Sequence, residues 1–393
     1  MQYLTLLATA GLIIVACFLQ LVSIFIAILR LNHSATFSRT ARQAGPSAGI
    51  SVIRPVCGLE NFVEATLRSS FQLEYPRYEI IFCVADARDP VIPLLRRLMA
   101  AYPAIDARLL IGNDPVSANP KLNNLVKGWR EARYDWILMA DSNVMMPRDQ
   151  LQLMLREWRA DTGLVCSPPV GVAPSNPWAE LECGFLNTYQ ARWQSCAAGV
   201  GWGFAQGKAM LWRRDLLEQA GGVEALGSEI AEDAAATKIV RGLGLHVRMV
   251  GRPFAQPLGY RSFSDVWRRQ LRWARLRRTT FKSFFIPELF SGLFAPLLLT
   301  IAWAWMAGFP VVVAGVALAM AWYAAEAWLA YRAGWPVSLQ SIPIWLLRDA
   351  LLPALWICAW AGDEFVWRGH AMSCADSGEV AALALASPSN VGD

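Results

Sequence analysis

An apolar run without a single charged residue opens the chain, over residues 1–29. A membrane span needs about 20 apolar residues, so this run is long enough to cross a bilayer. A cleaved signal peptide is the alternative, but the run has neither a basic start nor a clear small-residue cleavage site. Arg30, Arg39 and Arg42 follow directly. By the positive-inside rule, they predict an outside N-terminus and a cytoplasmic domain after the span.

Two further apolar runs stand near the other end of the chain. Residues 291–331 contain one acidic residue and are broken by a Gly-Phe-Pro turn, which predicts a helical hairpin of two spans. Residues 342–361 are apolar except for Arg348 and Asp349. Charges in a bilayer are costly and usually paired or functional, so this run could be a third span or an interfacial or re-entrant helix.

Short apolar runs replace the long ones between these ends, and they alternate between strand and helix patterns. Strands are predicted at 49–58, 78–86, 106–112 and 135–143, and helices at 60–75, 90–103 and 119–134. This alternation predicts a Rossmann-like, mostly parallel α/β sheet, whose ligands bind at the carboxyl ends of the strands.

The chain is therefore expected to have four parts. These are an N-terminal transmembrane helix (1–30), an α/β catalytic domain ending in amphipathic juxtamembrane helices (45–282), a C-terminal transmembrane region of two to three helices (286–361) and a tail (362–393). Composition agrees, because 55% of the residues are hydrophobic and soluble chains typically have about 45–50%.

Charge and cysteine usage exclude other classes. The net charge of +5 is too small to indicate a nucleic-acid partner. The eight cysteines are scattered without a Cys-x-x-Cys pair, so neither a zinc site nor a disulfide framework is indicated.

Aspartates end two of the predicted strands. Asp86 and Asp141 could each be a turn or helix-cap residue, but two of them at equivalent strand ends favour a site. Ser142 and Asn143 follow Asp141 and make an oxygen-rich turn suited to Mg²⁺ or Mn²⁺. Such ions commonly complete their shell with phosphate oxygens, which suggests a nucleoside diphosphate.

Two helix starts carry further candidates. Glu232 and Asp233 open a helix, where the dipole favours an ionised carboxylate that could act as a general base or could simply be a helix-start charge. Asn119, Pro120 and Lys121 form another helix start, which could accept a phosphate or a uracil carbonyl, or could merely be well capped.

Six arginines crowd residues 268–278, beside the second apolar run. On a helix, Arg269, Arg272 and Trp273 share a face that could clamp a diphosphate. The alternative is that all six arginines anchor the chain to anionic headgroups.

The sequence resembles the D, D, D, (Q/R)xxRW pattern of inverting, membrane-bound GT-A glycosyltransferases. The matching positions are Asp86, Asp141, Asp233 and the segment Arg269–Trp273. The similarity is to the ceramide glucosyltransferase family, and it covers about residues 1 to 370. The stretches RPVCGLE, DARLLIG, NPKLNNL and AQGKAMLWRRDLLEQAGG support it. Two departures are a glutamine at Gln190, where animal members show histidine, and the lack of a second acidic residue after Asp141.

The resemblance implies a role for each motif. It implies a GT-A fold, a UDP-sugar donor near Asp86, a metal and diphosphate at Asp141, and Asp233 as the catalytic base. The residues expected to bind the donor and metal are Asp86, Lys121, Asp141, Arg269, Arg272 and Trp273.

The implied reaction transfers a hexose, glucose by the family's example, from a UDP-sugar to a hydroxyl of a membrane lipid of the ceramide or diacylglycerol type. Similar groups add several sugars to diacylglycerol or act on hopanoids. A processive polysaccharide synthase would need a polymer channel, for which three or four spans are too few. A catalytically silent membrane scaffold is the alternative from another class. The expected location is a bacterial-type inner membrane, crossed several times, with the catalytic domain in the cytoplasm.

Overall fold

A computed structural model describes residues 2–40, 48–367 and 370–374. Arg42 and most of the predicted tail, residues 368–369 and 375–393, lie outside the described part. The chain divides into two compact units. The helical unit comprises residues 1–33, 170–199 and 258–363, and the sheet unit comprises residues 34–169, 200–257 and 364–393.

The elements of the first half of the chain are α1 (Gln2–Thr40), β1 (Ile50–Val56), α2 (Val63–Ser69), β2 (Tyr78–Val84), α3 (Ile92–Ala101), β3 (Ala107–Ile111), α4 (Pro120–Glu131), β4 (Trp136–Ala140), α5 (Gln150–Arg156), β5 (Thr162–Cys166), β6 (Pro169–Pro174), α6 (Pro177–Gly184), a π-helix (Phe185–Ala191) and α7 (Arg192–Gly199). The elements of the second half are β7 (Ala209–Arg213), α8 (Arg214–Gln219), α9 (Glu232–Gly242), β8 (His246–Met249), β9 (Phe254–Gly259), α10 (Phe263–Thr280), α11 (Lys282–Phe285), α12 (Phe294–Met306), α13 (Val311–Ala333), α14 (Ser341–Trp360), β10 (Glu364–Trp367) and β11 (His370–Ser373).

The alternation predicted over residues 49–143 is confirmed, with four strands and three helices in the expected order. Every residue of β1 is buried. A strand covered on both faces reads as a continuous apolar run, and this is why the sequence pattern identified it.

The sheet unit is built on seven strands in the order β3-β2-β1-β4-β7-β5-β8. β1 pairs in parallel with β2 and β4, whereas β7 runs antiparallel to β4 and β5. The predicted mostly parallel α/β sheet is therefore confirmed. In the ladder, Ala140 at the end of β4 faces Ala209 at the start of β7. The residues just before β7 consequently lie beside the turn that follows β4.

The helical unit contains the apolar runs. Among the described residues, three helices of this unit are long and apolar enough to cross a membrane: Tyr3–Asn32, Val311–Ala333 and Ser341–Trp360. α12 has 13 residues and reaches a span's length only together with the segment Lys282–Phe290, to which it is bent by 44°. The predicted apolar helices at both ends of the chain are confirmed.

A buried ion network, which we define as Arg192, Glu326, Arg348 and Asp349 with Gln20, ties these helices together. Arg348 binds Glu326 at 2.9 Å and Asp349 at 2.8 Å, with all three side chains almost fully buried. Gln20 donates to Glu326 at 3.2 Å and accepts a hydrogen bond from Arg192. The charges that the sequence places inside an apolar run are thus paired, as their cost in a bilayer requires.

Candidate active site

Four segments of the sheet unit meet at the carboxyl end of β4. They are the start of α4, the turn after β4, the turn before β7 and the start of α9. The antiparallel pairing of β7 brings the third segment to the others. The site is therefore built where the sheet topology predicts ligand binding, at strand ends and helix N-termini.

The start of α4 places Lys121 in the site. The side chain of Asn119 caps the helix by accepting from the backbone N–H groups of Lys121 and Leu122, and Pro120 occupies the first turn. The ammonium of Lys121 donates to Asp141 at 2.6 Å, Glu232 at 2.5 Å and the carbonyl of Gly207 at 2.7 Å. The capping prediction is confirmed, and Lys121 lies between two carboxylates.

Asp141 is held by cations on both carboxylate oxygens. Lys208 donates to its Oδ2 at 2.8 Å and to Asn143 at 3.0 Å, while Lys121 binds Oδ1. Burial would raise the pKa of Asp141, but the two ammonium charges outweigh it and hold the pKa well below its ordinary range. Beneath the turn, fully buried Arg54 donates to the carbonyl of Asp141 at 2.6 Å and so fixes its backbone.

Asp233 lies in the first turn of α9, as predicted. Its Oδ2 accepts from the backbone N–H of Gly207 at 3.0 Å. Burial raises the pKa of Asp233, and the charge of Glu232 raises it further, to about 6. A carboxylate with this pKa is ionised near neutral pH yet more basic than an exposed aspartate, which is the property that a general base requires.

Gly207 leaves no room for a side chain. A Cβ atom at this position would lie 2.8 Å from Glu232 Oε1, 3.4 Å from Asp233 Oδ2 and 3.5 Å from Lys121 Nζ. The three charged groups therefore converge on the α-carbon of this glycine. The backbone of Gly207 also contributes one donor and one acceptor to them.

The oxygen atoms beside Lys208 are of the type that Mg²⁺ or Mn²⁺ prefers. Asp141 and Asn143 converge on one ammonium, which shows that they can share a cation. Among the described residues, no three His, Cys, Asp or Glu side chains gather as metal ligands. The two side chains fit a hard cation that would take its other ligands from phosphate or water.

The side chain of Asp86 contacts Arg88, not the charged groups around Gly207, in the described part of the chain. It follows β2, and its side chain is 56% exposed. It accepts from the backbone of Arg88 at 2.9 Å and pairs with its guanidinium at 3.4 Å. The backbone and side-chain hydrogen bonds from Arg88 lower the pKa of Asp86. This carboxylate is therefore ionised and open to solvent.

The arginine-rich segment forms α10, in the helical unit. Arg269 and Arg261 both pair with Glu182, which is almost fully buried. Trp273 packs against a cluster that includes Cys183 and Leu258. Arg272 is half-buried. In this structure Arg269 is an ion-pair partner and Trp273 a packing residue, so their predicted contact with a donor remains a prediction.

We call this group the charged cluster: Lys121, Asp141, Lys208, Glu232 and Asp233 around Gly207, with Arg54 bound to the Asp141 backbone. Gly207, Lys208 and Arg54 were not predicted as site residues. The Gly-Lys pair directly before an apolar run was the available signal, because it marks a tight turn that opens a strand. Its place next to Asp141 depends on β7 pairing antiparallel to β4, which no local pattern specifies.

Comparison with known proteins gives one family. The profile described as "Glycosyl transferase family 21" matches residues 15–380. Ceramide glucosyltransferase 3 of Caenorhabditis elegans is 23% identical over 391 residues, covering 96% of this chain and 83% of that protein. Ceramide glucosyltransferase of Candida albicans is 41% identical over 108 residues, 24% of this chain and 20% of that protein.

A solved mannosyltransferase from Pyrobaculum calidifontis, PcManGT in complex with GDP-Man and Mn²⁺, aligns over 89% of this chain and 98% of its own. Its identity is 18% and its TM-score is 0.48. A likeness this remote says nothing about the ligands of the present chain.

Proposed function

The chain belongs to glycosyl transferase family 21, and from this premise we propose that it transfers glucose from UDP-glucose to the hydroxyl of a membrane lipid. The acceptor we propose is ceramide, and the product is a β-glycolipid. The relatives named ceramide glucosyltransferase, one of which matches nearly the whole chain, support the lipid acceptor.

The observation that carries this proposal is the cluster around Gly207. It joins a carboxylate with a pKa of about 6, Asp233, to two ammonium groups, Lys121 and Lys208. A base and a set of cations within one network are what a displacement with an anionic leaving group requires.

In the proposed mechanism, Asp233 takes the proton of the acceptor hydroxyl. The oxygen attacks the anomeric carbon from the side opposite the diphosphate, the bond to UDP breaks, and the configuration inverts. Lys121 and Lys208 stabilise the negative charge that develops on the leaving diphosphate. A bound Mg²⁺ or Mn²⁺, held by Asp141 and Asn143, would neutralise the same charge.

The remaining expected site residues keep their proposed roles. Asp86, exposed at the end of β2, would contact the nucleotide of the donor. Arg269, Arg272 and Trp273 would complete the donor site. For Arg269 this requires exchanging Glu182 for the diphosphate, which an arginine binds in a similar bidentate way.

We also propose that the protein is a multi-pass protein of a bacterial-type inner membrane, with the sheet unit in the cytoplasm. The helices that are long and apolar enough to span support the membrane location. The basic residues after the first apolar run support the orientation.

The experiment is transfer from radiolabelled UDP-glucose to ceramide by the purified full chain in lipid nanodiscs. Asp233→Asn should lower kcat about 10²- to 10⁴-fold, the usual contribution of a general base, while UDP still binds. Asp215→Asn, which changes an exposed aspartate, is the matched control and should leave kcat unchanged. Turnover retained by Asp233→Asn would remove this residue from the base role. Absence of both labelled lipid and UDP release in the parent would favour a silent scaffold.

A further inference from the structure

Arg54 is a charged residue in the middle of a buried strand. It lies on β1, every residue of which is buried, and its own side chain is fully buried. In the described part of the chain it forms no ion pair with a carboxylate, and its four hydrogen bonds go to neutral oxygen atoms. A buried charge without an ionic partner is costly, so Arg54 needs a role that an apolar side chain could not fill.

The guanidinium of Arg54 carries its charge at neutral pH. Burial lowers the pKa of Arg54 to about 9, and the negative charge of Asp141 opposes this effect. A protonated guanidinium has five N–H donors in one rigid plane, so it can bind several carbonyl groups at once.

The hydrogen bonds of Arg54 join two parts of the sheet unit. One terminal nitrogen donates to the carbonyl of Thr66 at 3.0 Å and to the hydroxyl of Ser70 at 2.6 Å, in and just after α2. The other donates to the carbonyls of Asp141 at 2.6 Å and Val144 at 3.0 Å, in the turn after β4. The guanidinium therefore ties both ends of this turn to α2.

Thr66 supports the same turn from α2. Its hydroxyl donates to the carbonyl of Ser142 at 2.6 Å. The guanidinium and this hydroxyl together hold three of the four carbonyls of residues 141–144. Because the backbone is fixed on both sides of Asn143, the directions of the Asp141 and Asn143 side chains are fixed as well. These are the two side chains that share one ammonium.

We propose that Arg54 is a positioning residue for the donor site. Through the backbone of residues 141–144, it sets the geometry in which Asp141 and Asn143 bind a cation together with the diphosphate, and it touches neither ligand itself. The inference rests on the proposed function, to which the cation and the diphosphate belong. Groups that orient metal ligands from a second layer typically contribute about 10- to 100-fold to metal affinity.

The test is binding of Mn²⁺ by the purified full chain in phosphatidylcholine nanodiscs, measured by electron paramagnetic resonance. UDP is present, donor sugar and acceptor are omitted, and the same titration without protein is the reference. We expect Arg54→Met to raise the Kd for Mn²⁺ about 10- to 100-fold. Arg54→Lys keeps the charge but not the planar fork, so its Kd should lie between those of the parent and Arg54→Met. A loss of stability alone would lower the number of sites and leave the Kd unchanged.

Thr66→Val is a milder second variant, which removes the hydrogen bond to the Ser142 carbonyl and leaves Arg54 in place. It should raise the Kd about fivefold, the usual contribution of one hydrogen bond. Arg108→Met is the matched control. Arg108 pairs with the buried Glu79 near the start of β2, at the opposite end of the strands from the site. This variant should lose stability and keep the Kd of the parent.

A parent-like Kd in folded Arg54→Met would overturn the inference. If Arg54→Met does not fold, a parent-like Kd in Thr66→Val overturns it instead. An equal rise of the Kd in Arg108→Met, or a parent that binds no Mn²⁺ in the presence of UDP, would also overturn it. If Mn²⁺ binding behaves as expected but no lipid is glycosylated, the proposed reaction fails and the positioning role stands.

Discussion

Replacing Gly207 by alanine gives a sharp test of the cluster, because it adds one methyl group and removes no polar group. The new Cβ would stand 2.8 Å from Glu232 Oε1, whereas ordinary contact begins at 3.4 Å. The carboxylate or the backbone must therefore give way by 3.4 Å minus 2.8 Å, about 0.6 Å. Glu232 forms an ion pair with Lys121, and the Gly207 N–H donates a hydrogen bond to Asp233. A shift of either group therefore displaces these charged side chains as well.

A misplacement of about 1 Å can cost about 100-fold in rate, so a shift of this size predicts a loss of about 10- to 50-fold in kcat/KM. The assay is UDP release from UDP-glucose in the presence of ceramide, with thermal unfolding measured in parallel. Gly242→Ala is the matched control, since it lies at the other end of α9 and its Cβ would meet nothing within 4 Å. This control should keep full activity. Activity within twofold of the parent in folded Gly207→Ala would refute the reasoning.

Three other measurements follow from the structure. Because only ionised Asp233 can accept a proton, kcat/KM should fall about tenfold per pH unit below about pH 6 and stay level above it. A profile that is flat down to pH 5 would contradict this role of Asp233. Lys208→Ala removes an ammonium that would compete with a metal ion for Asp141. The Mn²⁺ concentration for half-maximal activity should therefore fall about tenfold, a change equal to about 1.4 kcal/mol. An unchanged Mn²⁺ titration would count against the shared site. Arg348→Met leaves the carboxylates of Glu326 and Asp349 buried without their guanidinium partner. It should lower the free energy of unfolding by about 3–5 kcal/mol, visible as a lower Tm in detergent, and adding Glu326→Gln should recover part of this loss.

The part of the fold that the sequence predicted is the part governed by local pattern. β1, β2 and β4 are buried apolar runs and β3 is a partly buried one, and amphipathic helices separate them in the chain, so spacing alone identified them. The antiparallel direction of β7 was beyond such reasoning, because a short apolar run reads the same in either direction. It depends instead on how residues 209–213 pair with β4, far away in sequence.

The candidate site likewise contains residues that local pattern indicates and residues that it does not. Asp141 and Asp233 stand out because one ends a strand and the other begins a helix. Lys208 does not stand out, because its contact with Asp141 exists only through the pairing of β7. Likewise, the sequence marks Arg348 as a charge in an apolar run, but its partner Glu326 lies on another helix, and no local pattern pairs the two.

The buried ion network has a consequence for how the protein is made. Gln20 bonds to Glu326 across 306 positions of the chain, so the first helix leaves the ribosome long before its polar partner exists. Until then the side-chain N–H of Gln20 lacks this acceptor, although Arg192 can already bind the side-chain oxygen. The buried ion network can therefore form only after residues 326–349 have been made.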